Sequence, residues 1–302
     1  MYDLKSIKQE FKEKGIFYTP PELSEYLKTL IDINISDVYD PTCGSGSLLS
    51  VFADDLPKFG QEINGHQLEI AQRQLKNFTG VCGDTLKDPA FMDKRFSCIV
   101  GNPPFSVQWE PPIGVFADER FAQCPAMPPK SKADYAFLLH IIHLLSDDGI
   151  AVVLNFPGIL YRGNTEGVIR KWFVDKNYIE KVVQIPGKTF VDTSIATVAL
   201  VLKKNKTNDS IEFIDSENKL SRIVEIKEIA QNNYNLSVSS YVQKPVERVF
   251  QDPIDLQNAA RAQMIRKIKA DIELDRLVCQ IEGIGFDDYL NDLKNIINSL
   301  TH

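Results

Sequence analysis

Asn102-Pro103-Pro104-Phe105 places an amide side chain, two backbone-fixing rings and an aromatic face in four consecutive residues. Neither proline can donate to a β-ladder, so the apolar run that ends at Val100 has to leave its sheet here. The two fixed φ angles then hold the Asn102 side chain and the neighbouring carbonyls in one place. An amide oxygen and a backbone carbonyl aimed at one point form an acceptor pair suited to an exocyclic amino group, and Phe105 offers a planar ring a surface for stacking. The same residues also fit a turn capped by Asn with Phe filling the core.

A second set lies upstream. Val38-Tyr39 leads into Asp40-Pro41-Thr42-Cys43-Gly44-Ser45-Gly46-Ser47 and then Leu48-Leu49. This reads as a strand, a small-residue turn and a helix start, which lets a ligand approach the backbone and presents helix N-terminal amides. With two glycines it falls short of the full dinucleotide fingerprint. A second strand, Gly60-Gln61-Glu62-Ile63, ends in an acid about 20 residues after Asp40, the offset at which such folds bond a ribose hydroxyl, and Glu62 is the candidate for that bond. Asp84, at the tip of Val81-Cys82-Gly83-Asp84-Thr85, can accept from an adenine amino group. His140 and His143 lie three apart with no third ligand in sight, which favours packing over a metal site.

The elements that must position these residues alternate strand with helix. Thr19 reads as an N-cap, with Pro20 in the first turn and Leu23, Tyr26, Leu27 and Leu30 at helical spacing. Further helices are expected over 66–77, 134–145 and 165–175, and further strands over 150–154, 179–184 and 193–202. The last strand is expected to run antiparallel at the sheet edge. Between Phe105 and Lys132, Pro111-Pro112, Pro125 and Pro128-Pro129 alternate with Trp109, Phe116 and Phe121, the composition of a lid or substrate-contacting loop. A short strand (211–214) and a small helix (224–231) follow. From Asp255 to Leu300 apolar residues recur at helical spacing among charges, which predicts a helical hairpin. The expected fold is a doubly wound α/β sheet with an antiparallel edge strand over residues 1–245, followed by a helical appendage over 246–302 that could dock a partner.

Composition narrows the function classes. The 302 residues are 43% hydrophobic, enough for a substantial core, and the five scattered cysteines form no Cys-x-x-Cys pair. No apolar run approaches a membrane span and the charged first residues lack a leader core, so a cytoplasmic protein is expected. A net charge of −7 argues against a chain that grips a polyanion unaided.

Taken in order, Phe17 to Pro20, Asp40 to Leu49, Gln61-Glu62-Ile63, Gly83 to Leu86, Asn102 to Phe105 and Leu160-Tyr161-Arg162-Gly163 resemble the modification (M) subunit of type I restriction-modification systems. These subunits are γ-type DNA adenine N6-methyltransferases with a Rossmann-like sheet. The likeness spans residues 15 to 245. It implies that S-adenosylmethionine lies across the glycine turn, held by Asp40, Thr42, Gly44, Gly46, Ser47, Glu62 and Asp84, with Phe17, Thr19 and Pro20 at its methionine end. Asn102, Pro103, Pro104 and Phe105 become the catalytic loop. It also implies DNA as substrate, a specificity (S) subunit as partner and a restriction (R) subunit in the assembly. The family's helical domain precedes the Phe-Tyr-Thr-Pro block, and sixteen residues stand ahead of Phe17 here, so a short form is expected. The expected reaction moves a methyl group to N6 of an adenine flipped from the duplex, at a cost of a few kcal/mol that stacking on Phe105 partly offsets. Two other readings stay open: a methyltransferase for RNA or a protein glutamine amide, and a catalytically silent scaffold subunit.

Overall fold

A computed structural model describes residues 19–111, 114–186, 197–243 and 252–300, and the chain divides into two compact units, Met1–Lys244 and Pro245–His302. Among the described residues of the first unit, nine strands form one sheet: β1 (Val38–Asp40), β2 (Lys58–Glu62), β3 (Phe78–Cys82), β4 (Phe96–Gly101), β5 (Leu145–Asn155), β6 (Ile179–Ile185), β7 (Thr197–Lys203), β8 (Ser210–Asp215) and β9 (Leu220–Glu225). Their order is β3-β2-β1-β4-β5-β7-β6-β8-β9. The first five are mutually parallel, β7 runs antiparallel between β5 and β6, and β9 closes the far edge antiparallel to β8.

Helices cover both faces, as the strand-helix alternation predicts: α1 (Pro21–Thr29), α2 (Gly65–Gln74), α3 (Asp134–Leu144), α4 (Asn164–Asp175) and the short α5 (Ile226–Gln231). Side chains alternate across the strands, so Tyr39, Ile99, Ala151 and Val153 join the apolar cluster under α3 and α4. Val38, Val100, Val152 and Leu154 join the one under α1 and α2. Helix α3 is apolar nearly all round, and ten of its eleven residues are buried, His140 among them. His140 meets the Tyr39 hydroxyl at 3.2 Å inside the core.

Three expectations about elements change. Thr19 does not cap α1: the cap position is Pro20, with no side-chain bond, and the first helical residue is Pro21. The glycine turn runs into a single 3-10 turn, Leu49–Val51, in place of an α-helix, because Phe52 is already extended and six residues later the chain is in β2. The antiparallel strand over 197–202 lies inside the sheet. Its residues Thr197 to Leu202 are all buried, and the antiparallel edge belongs to β9, whose mixed sequence hides its strand character. The Pro186 turn falls partly, and Phe17 wholly, outside the described residues.

The proline-rich segment is tied down on both arms. Trp109 N donates to Lys130 O (2.9 Å), Ala133 N to Val107 O (2.8 Å) and Trp109 Nε1 to Pro129 O (3.1 Å). The buried Arg120 guanidinium bonds Thr85 O, Leu86 O and the Asp118 carboxylate, which fixes the segment to the end of β3.

The second unit is a long helix α6 (Pro253–Glu282), capped by the Asp252 carboxylate, and a shorter α7 (Phe286–Leu300). The reversal uses Gly283 in the left-handed region (φ +72°). At the elbow the Tyr289 hydroxyl donates to the Asp275 carboxylate. Leu256, Ile265, Ile268, Leu277 and Ile281 are exposed along α6.

Candidate active site at the carboxyl ends of the strands

The strand order reverses between β1 and β4, and at such a switch point the loops diverge and leave a crevice. A cavity of about 1190 Å³ opens there, lined by the glycine turn, the ends of β2 and β3, the Asn102 loop and the anchored proline-rich segment.

Two carboxylates end adjacent strands, Asp40 in β1 and Glu62 in β2, and a third, Asp84, stands two residues past β3. Asp40 is buried and accepts from Thr42 N (2.9 Å). Burial pushes its carboxyl up to about 7 despite that bond, and the Glu62 charge adds to the rise. Glu62 accepts from Gly44 N (2.8 Å) through one oxygen and from Asn64 N (2.9 Å) through the other, so the acid after β2 folds the glycine turn over its own strand end. Asp84 accepts from Leu86 N (3.0 Å) and caps the turn after β3. Thr42 lines the cavity, and its side chain joins its amide in favouring the charged form of Asp40 behind it.

The two glycines do different work. Gly44, at φ +53°, has open space where a side chain would project, which leaves the backbone approachable from the cavity. Gly46, at φ +89°, would set a Cβ 2.7 Å from Leu75 Cδ1, so it serves packing against α2. Gly46→Ala combines a positive φ with that clash and is expected to lower stability by about 1–3 kcal/mol. Denaturant melts that match the parent would contradict this.

Asn102 sits at the cavity rim, and its Nδ2 donates to Thr19 Oγ1 (3.1 Å). Thr19 is itself buried ahead of α1, so the amide is pinned through its nitrogen and Oδ1 is the atom left to accept from a ligand. Pro104 lines the cavity beside it, Pro103 is buried behind, and the half-buried Phe105 packs on the apolar cluster that includes α1.

Of the residues singled out in the sequence, Thr42, Gly44, Glu62, Asp84, Asn102 and Pro104 line this one cavity. Asp40 and Thr19 stand behind it, the first bonded to the backbone of a lining residue and the second to a lining side chain. Pro20, Gly46, Ser47, Pro103 and Phe105 are not among its walls. Among the lining residues to which the sequence reading gave no role is Ile63, directly after Glu62 and 69% exposed. An isoleucine at the end of a strand, with a polar Asn after it, was the available signal. The arrangement offers acceptors at both ends, an apolar surface between and room for a nucleoside-sized ligand.

Residues 3–224 match the N-6 DNA Methylase family. The chain is 31% identical over 318 residues to the methylase subunit of the type I restriction enzyme MpnII of Mycoplasma pneumoniae, covering 94% of this chain and 59% of that protein. It is 29% identical to the corresponding MjaVII subunit of Methanocaldococcus jannaschii, covering 91% of this chain and 57% of that one. A crystal structure of a type I restriction-modification methyltransferase subunit from Streptococcus thermophilus superimposes with a TM-score of 0.69 at 29% identity, covering 75% of this chain and 59% of the other. This chain therefore spans somewhat under six tenths of the curated relatives it matches. The family match covers most of the chain, which therefore belongs to the N-6 DNA methylase family.

Proposed function

We propose that the cavity binds S-adenosylmethionine and that the chain transfers its methyl group to N6 of a flipped-out adenine in DNA, as the methylating subunit of a type I-like restriction-modification system. The observation that carries this reading is the Asn102 amide, pinned by Thr19 through its nitrogen at the rim of a cavity with acids at its other strand ends. The residues fit the cofactor: the open backbone at Gly44 and the Thr42 side chain would border it, with Glu62 for the ribose, Ile63 against the adenine face and Asp84 for its amino group. When bound, S-adenosylmethionine supplies an electrophilic methyl on a sulfonium. With an adenine in the site, Asn102 Oδ1 and the Pro103 carbonyl would accept the two N6 hydrogens, which would favour a pyramidal nitrogen with a localised lone pair for the methyl to be transferred to. No strong base has to act first.

The test is to co-express the chain with a specificity subunit from its own genome and offer labelled cofactor with duplex DNA, RNA or a glutamine-bearing protein. Label in N6-methyladenine of DNA is expected; label confined to RNA or to glutamine would replace this reading.

The partner reading rests on the exposed apolar stripe of α6 and α7, an interaction surface suited to helices of a specificity subunit. A chain cut after Val246 is expected to keep its fold and cofactor affinity and to lose site-specific methylation of duplex DNA. Retained partner binding by the truncated chain, or methylation of one defined sequence by the full chain alone, would contradict it.

A further inference from the structure

The Leu160-Tyr161-Arg162-Gly163 block stands outside the cavity walls, yet it reaches the residue that follows the catalytic loop. Arg162 Nη2 donates to Ser106 Oγ (3.2 Å). Ser106 comes directly after Phe105 and has φ +53°, a left-handed conformation that a serine adopts only when its surroundings hold it there. Its amide donates to Oδ1 of the buried Asp134 (3.1 Å), the first residue of α3. Ser106 is therefore gripped by its backbone from one side and by its hydroxyl from the other.

Arg162 is held in turn. Its guanidinium lies over the Phe156 ring at 5.5 Å, and Nη1 meets the buried Glu166 carboxylate at 3.4 Å. The segment carrying it is fixed from behind: Arg170 Nη1 donates to Arg162 O (2.7 Å) and Ile159 O (3.2 Å), and the Tyr135 hydroxyl to Ile159 O (2.9 Å). Gly158 supplies the room, since a Cβ there would sit 2.5 to 2.6 Å from the guanidinium. Its φ is not positive, so alanine fits the backbone and acts only by displacing Arg162.

We infer that Arg162 is a positioning residue for methyl transfer: together with Asp134 it holds Ser106 left-handed and so fixes where Phe105 and Asn102 stand against the target base. The inference rests on the proposed reading of Asn102 to Phe105 as the catalytic loop. Two variants remove the clamp by different routes, Arg162→Ala by deleting the guanidinium and Gly158→Ala by pushing it aside with its charge kept. A third, Ser106→Gly, supplies a residue that takes positive φ without help.

The experiment measures kcat, the KM for S-adenosylmethionine, cofactor affinity by calorimetry and the melting temperature of the full chain in its DNA-methylating complex. Arg162→Ala and Gly158→Ala are each expected to lower kcat by on the order of 100-fold, the cost of misplacing a reacting group by about 1 Å. KM and affinity for the cofactor should stay within about twofold, and adding Ser106→Gly to Arg162→Ala should recover at least about tenfold of the loss. The clamp is overturned if Arg162→Ala keeps kcat within about twofold of an active parent, if kcat falls only in step with cofactor affinity and melting temperature, or if Ser106→Gly recovers nothing. A parent complex that fails to methylate DNA would overturn the methyltransferase reading and the clamp with it.

Discussion

Asn102→Ala is expected to cut methyl transfer by at least about 100-fold while leaving cofactor affinity within about twofold of the parent. Among the described residues the side chain's hydrogen bond runs from Nδ2 to the buried Thr19 hydroxyl, so its removal should leave the sheet and the cavity's carboxylates in place. On the proposed reading the substitution removes an acceptor whose bond would strengthen as N6 becomes pyramidal, and an interaction gained mainly in the transition state shows in kcat with little change in ground-state binding. Single-turnover rates beside calorimetry of the same preparation check it. A rate within a few-fold of the parent would remove Asn102 from the reaction.

The second large effect is expected at Glu62. A carboxylate bonding a ribose hydroxyl contributes about 1.5–3 kcal/mol, so Glu62→Ala should weaken S-adenosylmethionine binding by roughly 10- to 150-fold. The geometry makes the loss twofold in kind, because the same carboxylate receives the Gly44 and Asn64 amides and thereby holds the glycine turn in shape. Glu62→Gln separates the two: it keeps an oxygen for one amide and gives up the charge, so its affinity should fall between the parent and alanine. Unchanged affinity in both variants would move the ribose site elsewhere.

Some of this site was legible before the fold and some was not, for reasons of distance along the chain. Asp40 and Glu62 end short strands and Asp84 follows one by two residues, so their placement at one end of the sheet follows once the strands are parallel neighbours. Asn102 was legible for the same reason, its strand being stopped by two prolines. Its bond to Thr19 was not, because 83 residues separate them and the contact exists only once α1 is laid on the sheet. Thr19 looked like a helix cap since that is what a threonine before a Pro-rich helix start most often is; tertiary contact gave its hydroxyl another partner. Gly46 reads in sequence like a second ligand-cradling glycine, and the approach of Leu75 from α2 gives it a different task. The interior place of β7 was masked because a strand running antiparallel to both neighbours has the same apolar pattern as a buried parallel one. Strand β9 was lost because exposed charged residues such as Arg222 and Glu225 dilute its apolar pattern.

The central claim is that this chain methylates adenine N6 in DNA through Asn102, and the most direct measurement is modification-sensitive sequencing of genomic DNA from cells with the gene, without it, and without it but complemented. N6-methyladenine is expected at one recurring sequence when the gene is present, with its loss on deletion and its return with the parent chain but not with Asn102→Ala. A methylation pattern indifferent to the gene, or one restored in full by Asn102→Ala, would contradict it.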